Sequence, residues 1–398
     1  MLRSIGVLFV LLLTLDGSAA APRRPFPHHT RYAAGTILPS HRTQAQLDDD
    51  VRAYYDVWKS KFLIKTADDL YRVSFGSTNP GRTVSEGQGF GMVIVAMMAG
   101  HDPDAQRIFD GLWCFARKYP SRVDPRLMSW QVPPGKDASA FDGDADIAYG
   151  LLLAHAQWGS DGDADYRGGA REVIAGMFAS NIGPRSNLPM LGDWVDPNGS
   201  TYNEYSVRTS DFMPAHFRAF GWTQVVKATQ ALVESLQKNY SPGTGLLPDF
   251  VVAGAPAPPH FLEASSDGDY GYNAGRDPWR LGTDAVLHGD RTSREQARRI
   301  ANWARTATGG DPLRLRGGYR LDGTPLPDRD YFTIFFAAPI GVAAMTDATQ
   351  QQWLNDIYEV VRTRHEDYYE DSVTLQCLLV MSGNAWSPIE TKRRAARH

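Results

Sequence analysis

The sequence predicts one large all-α domain, and three observations predict it. From Gln44 onward apolar residues recur at spacings of three and four, as in Ile147, Leu151 and Ala154 or in Ile300, Trp303 and Ala304, so each segment has one helix face to bury. The segments are similar in length and are separated by loops rich in Gly, Pro and Asp, the residues that stop helices and turn chains. No strand–helix–strand alternation and no low-complexity linker interrupts the pattern, which argues against a parallel sheet and against two domains.

The elements follow in chain order. Arg3, the apolar run Ile5 to Leu15 and the small residues Ser18 to Ala21 read as a secretory signal peptide over residues 1–20. Asp16 and Gly17 break that run before it reaches the roughly 20 apolar residues of a membrane span. The expected protein is therefore secreted, extracellular or periplasmic, with no membrane attachment after cleavage. Residues 21–43, with their Pro and His content, read as a flexible N-terminal segment, residues 44–390 as the folded domain and 391–398 as a basic tail. Helices are expected over Ala45–Phe62, Gln88–Ala99, Ala105–Tyr119, Ala145–Trp158 and Tyr166–Ala179. Further ones are expected over His216–Phe220, Thr223–Gln237, Thr283–Leu287, Ser293–Ala307, Tyr331–Met345, Thr349–Arg362 and Ser372–Ser382. No internal repeat fixes how they are arranged.

Composition narrows the function. Lys and Arg number 41 against 45 Asp and Glu, a net charge of −4, so no basic surface awaits a nucleic acid. Cys114 and Cys377 are too few for a disulfide scaffold or a thiolate zinc site, and form one bridge at most. No His/Cys cluster points to a metal, and no cofactor is expected. Aromatic residues make up 11% of the chain, and Trp130, Trp194, Tyr202, Tyr205, Tyr270 and Tyr272 sit in loops beside Asp, Asn or Gly. Aromatic faces flanked by hydrogen-bonding groups suit sugar rings, although the same residues also serve to plug loops onto a core.

Three carboxylate-bearing segments are candidates for chemistry. In residues 83–92, Glu86 stands at a Gly-rich loop-to-helix junction, where a carboxyl can face a cleft; Ser85 and Gln88 there also read as a capping box with Glu86 as a first-turn acid. Residues 140–158 carry Asp142, Asp144 and Asp146 into an apolar helix, as helix-entry acids or as part of a site. A calcium loop is not expected, because Leu153 occupies the twelfth position where a Glu is needed, and Asp161, Asp163 and Asp165 read as a surface loop and N-cap. Residues 261–284 hold Glu263, Asp267, Asp269, Tyr270, Tyr272, Asn273, Arg276, Trp279, Arg280 and Asp284, which is poor core material and good site material, or an Asp/Arg network stapling a loop.

SEGQGFGM, the D-G-D-A-D-I-A run, SDFMPAHFRAF at 210–220, YNAGRDPWRLGTD at 272–284 and YYEDSVTLQCLLVMSGNAW at 368–386 together resemble glycoside hydrolase family eight, in family order across about residues 45–386. The resemblance implies an (α/α)6 barrel, six inner and six outer helices with a substrate cleft across one end, and an inverting endo-glycanase of β-1,4-linked polysaccharides. It implies Glu86 as general acid, whose proton is retained by burial, and Asp142 as the residue that binds and distorts the sugar at the cleavage point, with Phe141 replacing the usual Ser or Thr before it. The family's usual base, an Asp in a Tyr-Asp-Ala-x-Arg motif, is replaced by Asn273. A subgroup with Asn there uses a Glu in a Phe-Leu-Glu motif, which implies Glu263 as base, with Asp267 and Asp269 as fallbacks. Trp130, Tyr272, Arg276 and, on weaker matches, Asp211 and Arg208 are implied to line the substrate. The expected partner is a β-1,4-linked polysaccharide bound by a monomer, β-glucan ahead of chitosan. The alternative is a polysaccharide-binding or export accessory protein inactivated by the change at Asn273.

Overall fold

The computed structural model describes residues 21–133, 138–162 and 164–389; the signal peptide and the basic tail expected at the two ends lie outside the described residues. Twelve α-helices dominate them: α1 (Gln44–Phe62), α2 (Ser85–Met97), α3 (Ala105–Lys118), α4 (Phe141–Trp158), α5 (Tyr166–Ser180), α6 (Pro214–Phe220), α7 (Thr223–Asn239), α8 (Asp277–His288), α9 (Arg291–Thr308), α10 (Ile334–Ala344), α11 (Gln351–Val361) and α12 (Tyr368–Met381). The even-numbered helices touch in sequence, α2 to α4, α6, α8, α10 and α12, and α12 closes back on α2. Each odd-numbered helix packs outside this ring, α1 on α12, α3 on α2, α5 on α4, α7 on α6, α9 on α8 and α11 on α10. This is an (α/α)6 barrel.

Burial follows from the two layers. Every residue of α10 and nearly every residue of α2 and α12 is buried, whereas α9 buries only one stripe, including Ala297, Ile300, Ala301 and Ala304, as an amphipathic outer helix must. The tightest inner seam is made by glycine. A Cβ on Gly89 would stand 2.7 Å from the Asp146 Cβ, and one on Gly143 2.5 Å from the Ser85 carbonyl carbon, so only glycine lets the first turns of α2 and α4 meet. That contact sets Glu86 beside Asp142.

Three small sheets decorate the cleft end. β1 (Leu63–Lys65) pairs with β2 (Tyr71–Val73); β3 (Thr83–Val84) pairs with β4 (Gln131–Val132); and β5 (Ser206–Arg208), β6 (Phe250–Val252) and β7 (Ala255–Pro256) form the third. Two of these pairings position site residues. The β3–β4 register pairs Val84 with Gln131, and the Ser85 N–H donates to the Trp130 carbonyl at 2.9 Å. The β5–β6 register sets Arg208 opposite Phe250.

Several local expectations are corrected. Residues 21–43, expected to be a flexible N-terminal segment, run across the other end of the barrel. Their backbone N–H groups, from Arg23, Phe26, Thr30, Ala33 and Ile37, donate to the carbonyls of Gln157, Ala99, Gly383, Val286 and Met345 at 2.6–3.0 Å. Those acceptors lie at or just past the C-terminal ends of α4, α2, α12, α8 and α10, where helices leave carbonyls unpaired. The strap therefore caps five inner helices. The Ser85–Gln88 capping box does not form: α2 starts at Ser85, and the Gln88 amide instead donates to the Tyr71 and Leu112 carbonyls at 3.1 and 2.9 Å. Cys114 is exposed, Cys377 is buried, and both are free.

Asp146 ties three inner helices together. It is fully buried and accepts from Arg280 Nη1 and Nη2 at 3.1 and 2.7 Å, and its Oδ1 lies 2.7 Å from His216 Nε2. Asp146→Ala leaves the buried Arg280 cation without its carboxylate, so urea unfolding is expected to show a loss of about 3–5 kcal/mol; a loss below about 1 kcal/mol, the scale of an exposed pair, would refute the role.

Candidate active site

The inner helices present their N-terminal ends to one face, and a cleft of about 530 Å³ opens there. Its lining includes Phe75, Arg82, Glu86, Trp130, Asp142, Arg208, Glu263, Tyr272, Asn273, Arg276, Tyr368, Tyr369 and Glu370. Expected site residues from segments almost 200 positions apart in the chain thus meet in one place.

Arg276 is the centre of the polar floor. It is fully buried in a 3-10 turn (Ala274–Arg276) directly before α8. Its Nη1 donates to Glu86 Oε1 and, at 2.9 Å, to Asp142 Oδ2; its Nη2 donates to Ser210 Oγ at 2.7 Å and Asn273 Oδ1 at 3.2 Å. Because the Asn273 oxygen faces this cation, the other end of the amide faces away, and Nδ2 donates to Glu263 Oε2 at 2.9 Å. Arg208 closes the circuit, with Nη2 donating to Glu263 Oε1 at 3.2 Å and Nη1 to Asp142 Oδ2 at 3.4 Å. Glu86 and Glu263 are therefore linked through Arg276 and Asn273.

The carboxyls differ in environment, and so in proton affinity. The Glu86 side chain is 16% exposed; burial pushes its carboxyl up to about 7, against the opposing pull of Arg276 and with help from the Asp142 charge. For Asp142, burial acts in the same upward sense, but the Arg208 and Arg276 cations outweigh it and hold the carboxyl below its ordinary value. One member of the pair keeps a proton where the other has lost it. Glu263 is the open one, its side chain 47% exposed to solvent.

The loop that carries Glu263 is held by two other acids. Asp267, a fallback base, is buried, and its carboxyl accepts from the backbone N–H groups of Leu262, Glu263 and Ala264 at 2.7, 3.0 and 2.8 Å; it shapes the turn that presents Glu263. Asp269, the other fallback, is not among the cleft-lining residues. Asp249 Oδ1 accepts from the N–H groups of Gly271, Asn273 and Ala274 at 3.1, 3.0 and 2.6 Å, fixing the Asn273 turn.

The remaining expected residues divide. Trp130 and Tyr272 line the cleft, and Tyr272 stacks on Phe335 with centroids 5.1 Å apart. Asp211, implied to touch substrate, is instead fully buried with its Oδ1 3.9 Å from Arg208 Nη1, and does not line the cleft; burial pushes it up to about 7. Tyr270 is core, whereas Trp194 and Tyr205 are more than 40% exposed. Phe75 and Arg82 stand in none of the quoted motifs, and Tyr368, Tyr369 and Glu370 open the 368–386 motif without a role of their own. The Tyr368-Tyr369-Glu370 run at the head of α12 was the available signal, since acids and aromatics there flank a helix N-terminus.

Comparison with known proteins agrees with the barrel fold. A β-glucanase of Niallia circulans is 40% identical over 395 residues, spanning 95% of each chain. An endoglucanase of Bacillus sp. (strain KSM-330) is 38% identical, covering 95% of this chain and 85% of the relative. The apo structure of a β-1,3-1,4-glucanase from Paenibacillus sp. X4 superposes with a TM-score of 0.89 at 39% identity, over 92% of this chain and all of that one. The family model for glycosyl hydrolases family 8 matches residues 28–383, and the chain belongs to that family as a glycoside hydrolase.

Proposed function

We propose that the protein is a secreted, inverting endo-β-1,4-glucanase acting as a monomer on β-glucan, with Glu86 as general acid, Glu263 as general base and Asp142 as the carboxylate that holds the sugar at the point of cleavage. The observation that carries this is the contrast between the two carboxyls. Glu86 is sequestered and keeps its proton to about pH 7, as a residue must that protonates the glycosidic oxygen. Glu263 is open to water and fixed by Asn273 and Arg208, as a residue must be that orients and deprotonates the attacking water. The water oxygen bonds to the anomeric carbon as the C–O bond to the leaving sugar breaks; Glu263 takes the water proton and Glu86 gives its own. Asn273, an amide, takes no proton and serves to aim the base. The names of the relatives, β-glucanase and endoglucanase, favour β-glucan.

Reducing-end release from lichenan, carboxymethyl cellulose, xylan and chitosan tests the substrate, and proton NMR of the first product tests the stereochemistry. The expected result is cleavage of a β-glucan with the α-anomer appearing first. A β-anomer as first product excludes inversion, and binding without cleavage turns the reading to a polysaccharide-binding protein.

A further inference from the structure

We propose that Arg82 is a substrate-binding residue that selects neutral glucan over polymers of glucosamine. The proposal rests on the reading of the cleft as a glucan site. It starts from how the three arginines of the cleft are held. Arg208 and Arg276 are spent on carboxylates, Asp142, Glu263 and Glu86 among them. Arg82 is held by rings: its guanidinium carbon lies 4.5 Å from the Phe75 centroid and 5.0 Å from that of Trp130. Among the described residues no carboxylate pairs with it and no acceptor takes its side-chain N–H groups, and its Nε is buried without a partner.

A cation lying over an aromatic face is attracted by the ring quadrupole and spends none of its in-plane donors. Its backbone is pinned as well, the carbonyl accepting from Phe75 N–H at 2.9 Å and from Arg72 Nη1 at 3.3 Å. The result is a fixed, unneutralised charge with free donors on the cleft wall beside Trp130. Sugar hydroxyls accept from such a group, whereas an ammonium can only be repelled by it.

The acids of the cleft do not cancel this charge. Asp142 and Glu263 are already paired, and Glu86 retains its proton. For Asp367, burial acts upward, but hydrogen bonds from the Ser77 N–H and hydroxyl at 3.0 and 2.6 Å outweigh it and hold the carboxyl below its ordinary value; it stays anionic, yet its oxygens are taken up by Ser77 and form no ion pair with Arg82 among the described residues. Burial raises the Glu370 carboxyl, which favours its neutral form.

Calorimetric binding to the Glu86→Gln protein, with cellohexaose and fully deacetylated chitohexaose at mildly acidic pH, tests the assignment. The expected result is that cellohexaose binds at least about tenfold tighter, that Arg82→Met in this host weakens it about tenfold, the scale of a charge-assisted hydrogen bond, and that the preference shrinks. Arg82→Lys keeps the charge, so it is expected to keep the rejection of chitohexaose while losing part of the affinity for cellohexaose. The proposal is overturned if Arg82→Met leaves both affinities and their ratio unchanged, or if the host binds neither sugar. Failure of the hydrolytic reading shows separately, as absence of reducing-end release by the wild type.

Discussion

Glu86→Gln is expected to lower kcat on β-glucan by about 10²- to 10⁴-fold, the range for loss of a positioned general acid, with little change in KM. Gln is isosteric and its oxygen still accepts from Arg276, which also keeps Asp142, Ser210 and Asn273 as partners, so the floor of the cleft stays assembled. What is lost is the proton. Two further readouts separate that loss from structural damage. In the wild type the alkaline limb of kcat is expected to fall through about pH 7, because the acid works only while protonated and burial holds its carboxyl up to that value. A substrate with a nitrophenolate leaving group needs no protonation, so its hydrolysis by the variant is expected to suffer far less than that of β-glucan. Equal losses on the two substrates would remove Glu86 from the role of acid.

The helices were legible from the sequence because burial on one face imposes a spacing of three and four; their order around the ring was not, because no repeat records which helix touches which. α8 shows how local signals mislead. It was expected only over Thr283–Leu287, yet the helix begins at Asp277 with Pro278 in its first turn, where the missing N–H of proline costs nothing. Likewise Gln88 reads locally as part of a cap, but its amide is used on carbonyls 17 and 24 residues away. The Pro-rich strap was legible as lacking regular structure and not as ordered, since its hydrogen bonds go to helix ends that only the closed ring creates.

The site divides in the same way. Glu86, Asp142, Glu263 and Arg276 stand in motifs that can be matched one by one, so they could be named before their neighbours were known. Arg82 carries no such motif. Its character comes from the Phe75 and Trp130 rings beside it and from the absence of a paired acid among the described residues, a property of the fold alone. Asp211 illustrates the converse: its motif placed it with the substrate, and the fold puts it beneath Arg208.

Glu263→Gln is expected to be the second large loss, about a hundredfold or more in kcat on β-glucan. The substitution is conservative in geometry: a carboxamide oxygen can still accept from Asn273 or Arg208, which hold the residue now, and Asp267 still fixes the loop through three backbone N–H groups. A large effect therefore reports proton transfer rather than collapse of the turn. The decisive companion is Glu263→Ala, which removes the proposed base and leaves room on the water side of the sugar. Azide needs no deprotonation, so it is expected to restore turnover to this variant and to leave a glycosyl azide of α configuration. Asp267→Ala acts differently: it releases the loop without touching the reacting atoms, so azide is not expected to rescue it. If azide rescues the Asp267 variant and not the Glu263 variant, the base is Asp267, and the tether from Asn273 to Glu263 holds a substrate-binding residue instead.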